Sequence, residues 1–98
     1  MKTGIELIAK ERQEQITKHK RTTEYDIQYN KYGQLGIAAQ SLLEKFIEYR
    51  VKPTSDWNDD IWDKMINADY IKRLTIAGAF IAAEIDRINE LNKQNETD

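Results

Sequence analysis

Arg12 stands in a stripe that should otherwise be apolar, between Ile8, Ala9 and Ile16. A guanidinium there has two uses. It can pair with an acid from another helix, or it can point into a cavity and take a phosphate or carboxylate in its planar fork. Glu84 poses the converse question. On a helical wheel it follows Arg73, Ala77 and Phe80 along the edge of an apolar stripe, with Ile88 and Leu91 beyond. A buried carboxylate without a cation is too costly to keep, so Glu84 must meet one such as Arg12 or stay partly hydrated. Asp86 falls well round the same helix, so the two acids cannot share a metal from one face. Glu24 and Asp26 are close enough to serve one site from a loop, or they are a pair of solvated loop acids. Trp57 and Trp62, flanked by Asp56, Asp59, Asp60 and Asp63, read as a lid on a helical core or as a stacking platform for a planar base. Arg73 is a second candidate for a phosphate. His19 has no second histidine to form a metal site with, and reads as a helix-end residue.

Those residues need helices to hold them. Thr3-Gly-Ile-Glu6 is a capping box that opens a helix running to about His19, with Ile5, Ile8, Ala9, Arg12, Ile16 and His19 inward. Residues 20–30 read as a polar linker in which Thr23-Glu-Tyr-Asp26 can begin a short turn. A second helix is expected from Tyr32 or Gly33 to Tyr49 or Arg50, with Leu35, Ala38, Ala39, Leu42, Phe46 and Tyr49 on one face. Residues 51–58 contain the only proline, Pro53, and form a loop. Ser55 or Asp56 then caps a short helix over 59–66, and Asp69 caps a last helix to about Asn92. The polar tail 93–98 should fray.

Within that last helix, Ile71, Leu74, Gly78, Ile81, Ile85 and Ile88 alternate three and four apart, the a/d period of a helix seam. Between Ile76 and Ala83 the other faces are apolar or small as well, which marks a central helix that water hardly touches. The expected fold is all-α: one domain over 1–98, a small bundle of two long helices, one short helix and a long buried C-terminal helix. One short chain has little material to cover such a helix, so a homo-oligomer is expected.

The 98 residues hold 15 Lys and Arg against 17 Asp and Glu, a net charge of −2, and the only basic run is Lys18 to Arg21. DNA or RNA is therefore not the expected partner. Cysteine is absent, which removes disulfides and thiolate metal sites. The start lacks the apolar run of a secretory signal, and Ile76–Ala83 falls far short of the ~20 residues that span a bilayer. No membrane partner is expected, and the default location is the cytoplasm.

The order Glu11-Arg12-Gln-Glu-Gln15, Thr23-x-Glu-x-Asp26, Gly33-x-Leu35 with Ala38-Ala39, the tryptophan segment, Ala77-Gly-Ala79 and Ala83-Glu-Ile-Asp-Arg87 resembles small phage- and prophage-encoded proteins. These are distant relatives of the MazG-like all-α nucleoside triphosphate pyrophosphatases. The resemblance implies a helical, oligomeric fold with a nucleotide pocket between helices, working in the host cytoplasm. MazG-like hydrolases hold Mg²⁺ with a Glu-Glu-x-x-Glu helix and further acids on a second. Here the first place reads Gly33-Gln34-Leu35-Gly36-Ile37, and the second offers Thr75, Ala77, Gly78 and Ala79.

Metal-assisted phosphoryl chemistry needs several converging carboxylates. The expectation is therefore a nucleotide binder that does not hydrolyse its ligand and needs no cofactor, with Arg12 and Arg73 on phosphate and Trp57 or Trp62 on a base. It resembles the phage sponges that sequester host nucleotide signals in anti-defence. One alternative is a divergent Mg²⁺-dependent pyrophosphatase using Glu24, Asp26 and Glu84. The other is a helical oligomeric interaction module.

Overall fold

The computed structural model describes residues 1–96, whose regular elements are all helices: α1 (Gly4–Thr17), α2 (Thr23–Tyr29), α3 (Gln34–Leu43), α4 (Asp59–Ile66) and α5 (Tyr70–Glu96), with a 3₁₀ turn at Ile47–Tyr49. The helix-start chemistry is local. Thr3 accepts from the Glu6 backbone while Glu6 reaches back to the Thr3 backbone N–H at 3.1 Å, the expected capping box. Those bonds lower the Glu6 pKa, the backbone bond from Thr3 foremost. Thr22 caps α2, Asn58 caps α4, and Asp69 accepts from the Lys72 N–H at the head of α5. The cap of α4 is therefore Asn58, two or three residues beyond the serine and aspartate expected to hold it.

Four boundaries differ from the sequence reading. Helix α1 ends at Thr17, before His19. The polar linker at 20–30 contains a helix whose Asp26 and Asn30 are buried. Helix α3 stops at Leu43, six residues short of Tyr49, because arginines claim the carbonyls a longer helix would have used internally. The Arg73 guanidinium donates to Leu42 O at 2.7 Å and Glu44 O at 3.2 Å, and Arg50 Nε donates to Glu44 O at 2.9 Å. Phe46 and Tyr49, expected inward, are exposed as a result. Conversely, α5 continues in regular helix through 93–96 rather than fraying there, and the last two tail positions, 97 and 98, lie outside the described residues.

Helix α5 is the spine, and α1, α2, α3 and α4 all pack on it. Its inner face presents Ile76, Ala77, Phe80 and Ala83 to Leu35, Ala38, Ala39 and Leu42 of α3 and to Trp57 and Trp62. The alanines let neighbouring backbones approach while Phe80 fills the middle. Within α1, Arg12 and Gln15 are the buried residues, and Ile5 is largely exposed.

The outer face of α5 departs most from expectation. Ile71, Leu74, Ile81, Ile85 and Ile88 are each between 40% and 68% exposed. The a/d seam thus faces outward, and only the opposite arc of the helix is shielded. Gly78 is the one seam position with a lid, since a Cβ there would lie 2.6 Å from Ile8 Cδ1 of α1. Among the described residues no helix is long and apolar enough to cross a membrane.

Candidate functional site

Two polar features border the core. The first is a buried charge cluster where α1, α2 and α5 meet. Asp26 is fully buried, and its Oδ1 accepts from Asn30 Nδ2 at 2.9 Å while Oδ2 has no hydrogen-bond partner among the described residues. Burial pushes its pKa up. The Asn30 bond and the charges of Arg12 and Arg21 pull it back, and Glu84 adds to the rise. Arg12 makes one hydrogen bond, its Nη1 donating to Arg21 O at 3.0 Å; its Nη2 lies 3.7 Å from Asp86, and among the described residues neither Nη2 nor Nε has a hydrogen-bond acceptor. The expected Arg12–Glu84 pair is not the one formed. Glu84 takes Arg87 Nε one turn on, and Asp86 takes Arg12, because Asp86 looks toward α1 from the side of α5 that Arg12 reaches.

The structure therefore brings Arg12, Asp26 and Glu84 within electrostatic reach of one another, and leaves Glu24 on the exposed side of α2. Arg73 is elsewhere, clamped on the end of α3 and on Ala68 O at 3.3 Å. Trp57 and Trp62 are buried, edge to face at 5.9 Å, and Trp57 also meets Phe80 at 5.5 Å. They close the core, so no base can enter between them. Among the described residues, no group of three or more His, Cys, Asp or Glu side chains is placed to hold a metal ion.

The second feature is a cleft of about 380 Å³ between α1, α4 and α5. Its floor is Ile76, Phe80, Met65, Ile61 and Ala68, and its rim carries Arg21, His19, Lys64 and Lys72 with Glu11 and Glu14. The acids are largely answered. Lys72 Nζ is 2.8 Å from Glu11, and Lys18 Nζ is 4.0 Å from Glu14. Arg21 is different. Its backbone is held twice, its N–H donating to Gln15 O at 2.9 Å and its C=O accepting from Arg12. That places the guanidinium over the Trp57 ring, 4.9 Å from its centroid. Among the described residues it donates to no oxygen; Asp26 feels its charge without bonding it.

Of the residues singled out in the sequence, only His19 lines this cleft, although Trp57 supports Arg21 from beneath. Arg21 and Lys64 were not singled out. Arg21 is one of three cations in the run Lys18–Arg21, and nothing in the spacing ties it to a tryptophan 36 positions later. No family model matches the chain, and neither a curated protein nor a solved structure matches it.

Proposed function

We propose that this chain is a small-molecule binder that holds a nucleotide-type anion in the α1–α4–α5 cleft without hydrolysing it. The observation that carries this reading is the Arg21 guanidinium, held over Trp57 and without an oxygen acceptor at the wall of an apolar cleft. A guanidinium so placed offers its fork to a phosphate, while Phe80, Ile76 and Met65 offer an apolar bed to the rest of the ligand. A volume near 380 Å³ lies within the ~300–1,000 Å³ usual for such sites. The phosphate contact thus passes from Arg12 and Arg73, which do not line the cleft, to Arg21 and Lys64, which do. The pyrophosphatase alternative needs converging acids, and Glu24, Asp26 and Glu84 are exposed, enclosed and paired respectively.

Thermal melting with AMP, ATP and cyclic nucleotides, with and without Mg²⁺, tests this. A ligand present at about 100 times its dissociation constant should add ~2.7 kcal/mol of stability. Arg21→Met and Lys64→Met should each remove most of that gain. The absence of a shift with every nucleotide would dismiss the reading, and EDTA-sensitive release of pyrophosphate would replace it with the hydrolase.

A further inference from the structure

The outer face of α5 runs beyond any need of the cleft, which lies on the other side of the helix. Ile71, Leu74, Ile81, Ile85 and Ile88 are all substantially exposed, along 18 positions or about 27 Å of helix at ~1.5 Å per residue. On a helix about 10 Å across, this is an apolar strip of a few hundred Å², the size at which an exposed patch marks an interaction site.

Three observations point to one occupant. The first is register. Steps of three, four, three, four and three residues are the geometry by which one helix packs its knobs into the holes of another at a shallow angle. The surface that answers such a seam best is another helix with the same spacing, and α5 itself supplies that sequence. The second is continuity. The seam would break at Gly78, but Ile8 of α1 lies over that position, its Cδ1 only 2.6 Å from where a Cβ would stand. Ile8 is itself only partly covered, so it presents an apolar side chain where α5 has none. The third is charge. The seam's immediate flanks are Thr75, Ala82 and Asn89 on one side and Ala77, Glu84 and Leu91 on the other. Glu84 is tied to Arg87 within the same chain, so two copies meeting here bring no unanswered like charges together.

We infer that the outer face of α5 docks on the same face of a second copy of this chain, forming a two-fold helix-on-helix interface. A standard interface buries ~800 Å² per partner, more than one helix strip supplies. The remainder comes from the neighbouring helices. α1 meets α5 on the Gly78 and Asp86 side and α3 on the Arg73 side, so both flank the strip. Ile5, exposed on α1, lies on that approach one turn before Ile8. The interface rests on the seam alone and not on the ligand reading of the cleft.

Sedimentation of the full chain from micromolar to sub-millimolar concentration tests it. The wild type should associate to a dimer or to a multiple of dimers. Ile81→Asp combined with Ile85→Asp should sediment as a monomer with unchanged helical circular dichroism. The chain has no cysteine, so Ile81→Cys alone gives a single reporter thiol near the middle of the strip, where a two-fold axis brings a residue against its own mate, and it should oxidise to a cross-linked dimer. Gln40→Cys, on the exposed side of α3, should not. A wild type that stays monomeric throughout, a double-aspartate variant that still associates, or equal cross-linking at both positions overturns the inference. Flotation of a monomeric wild type with phosphatidylglycerol vesicles, abolished by the aspartates, would give the face to a lipid surface instead.

Discussion

Ile76 and Ile81 are five positions apart on one helix, yet Ile76 is 4% exposed and Ile81 46%. Both lie in apolar surroundings of similar composition. The difference is in their neighbours. Around Ile76 the residues facing the bundle are Ala77, Ala79 and Ala83, which let α3 and α1 come close, with Phe80 filling the space between. Around Ile81 the residues are Leu74, Ile85 and Ile88, large and regularly spaced, and each of them is 40% exposed or more. Close approach within the chain follows the small residues; the large, periodic ones are left outward.

The widest test of that contrast compares Phe80→Ala with Ile85→Ala by urea unfolding at a concentration low enough to keep the chain monomeric. Loss of the buried ring should cost about 3–5 kcal/mol, and trimming the outer isoleucine should stay within about 0.5 kcal/mol. Equal costs would mean that the two faces are not different within one copy. A narrower test uses Gly78, where the faces meet. Gly78→Ala should gain less than the ~1 kcal/mol that alanine brings to a helix, because the partly covered Ile8 side chain, whose Cδ1 would lie 2.6 Å from the new Cβ, has to turn aside. Adding Ile8→Ala should restore part of that shortfall, and strict additivity in that cycle would show that Ile8 does not sit over the glycine.

The smallest effect concerns the charged end of the inner face. Burial holds the Asp26 pKa above its unfolded value, so the native state keeps a proton that the unfolded chain releases. Its contribution is fully present below the unfolded pKa of 3.8 and is lost as pH rises through the raised native value. Stability measured across the acid range should carry that component in the wild type, and Asp26→Asn should lack it.

The starts of the first and last helices were legible because they are local. The Thr3 box lies within four residues, and Asp69 takes the Lys72 N–H three residues on. The helical class and the core residues Leu35, Ala38, Leu42 and Phe80 were legible from period. The early end of α3 was not, because its cause, Arg73, lies 31 positions from the Leu42 carbonyl it takes. Nor was the fate of the seam, since an a/d stripe has the same spacing whether its partner is in the same chain or in another. The cleft was missed for a similar reason: Arg21 becomes distinctive only once the turn after α1 folds back and lays it on Trp57.

Arg50 and Arg73 between them gather the carbonyls of Leu42, Glu44, Lys45, Ile66 and Ala68, the knuckle where α3, α4 and α5 meet. All five acceptors are main-chain carbonyls, so this fastening has no carboxylate partner for an acid to protonate. The opposite corner, around Asp26, does titrate. Rising pH, which takes the proton from Asp26, therefore loosens first the corner where α2 leans on the spine, while the carbonyls gathered by the two arginines stay fastened.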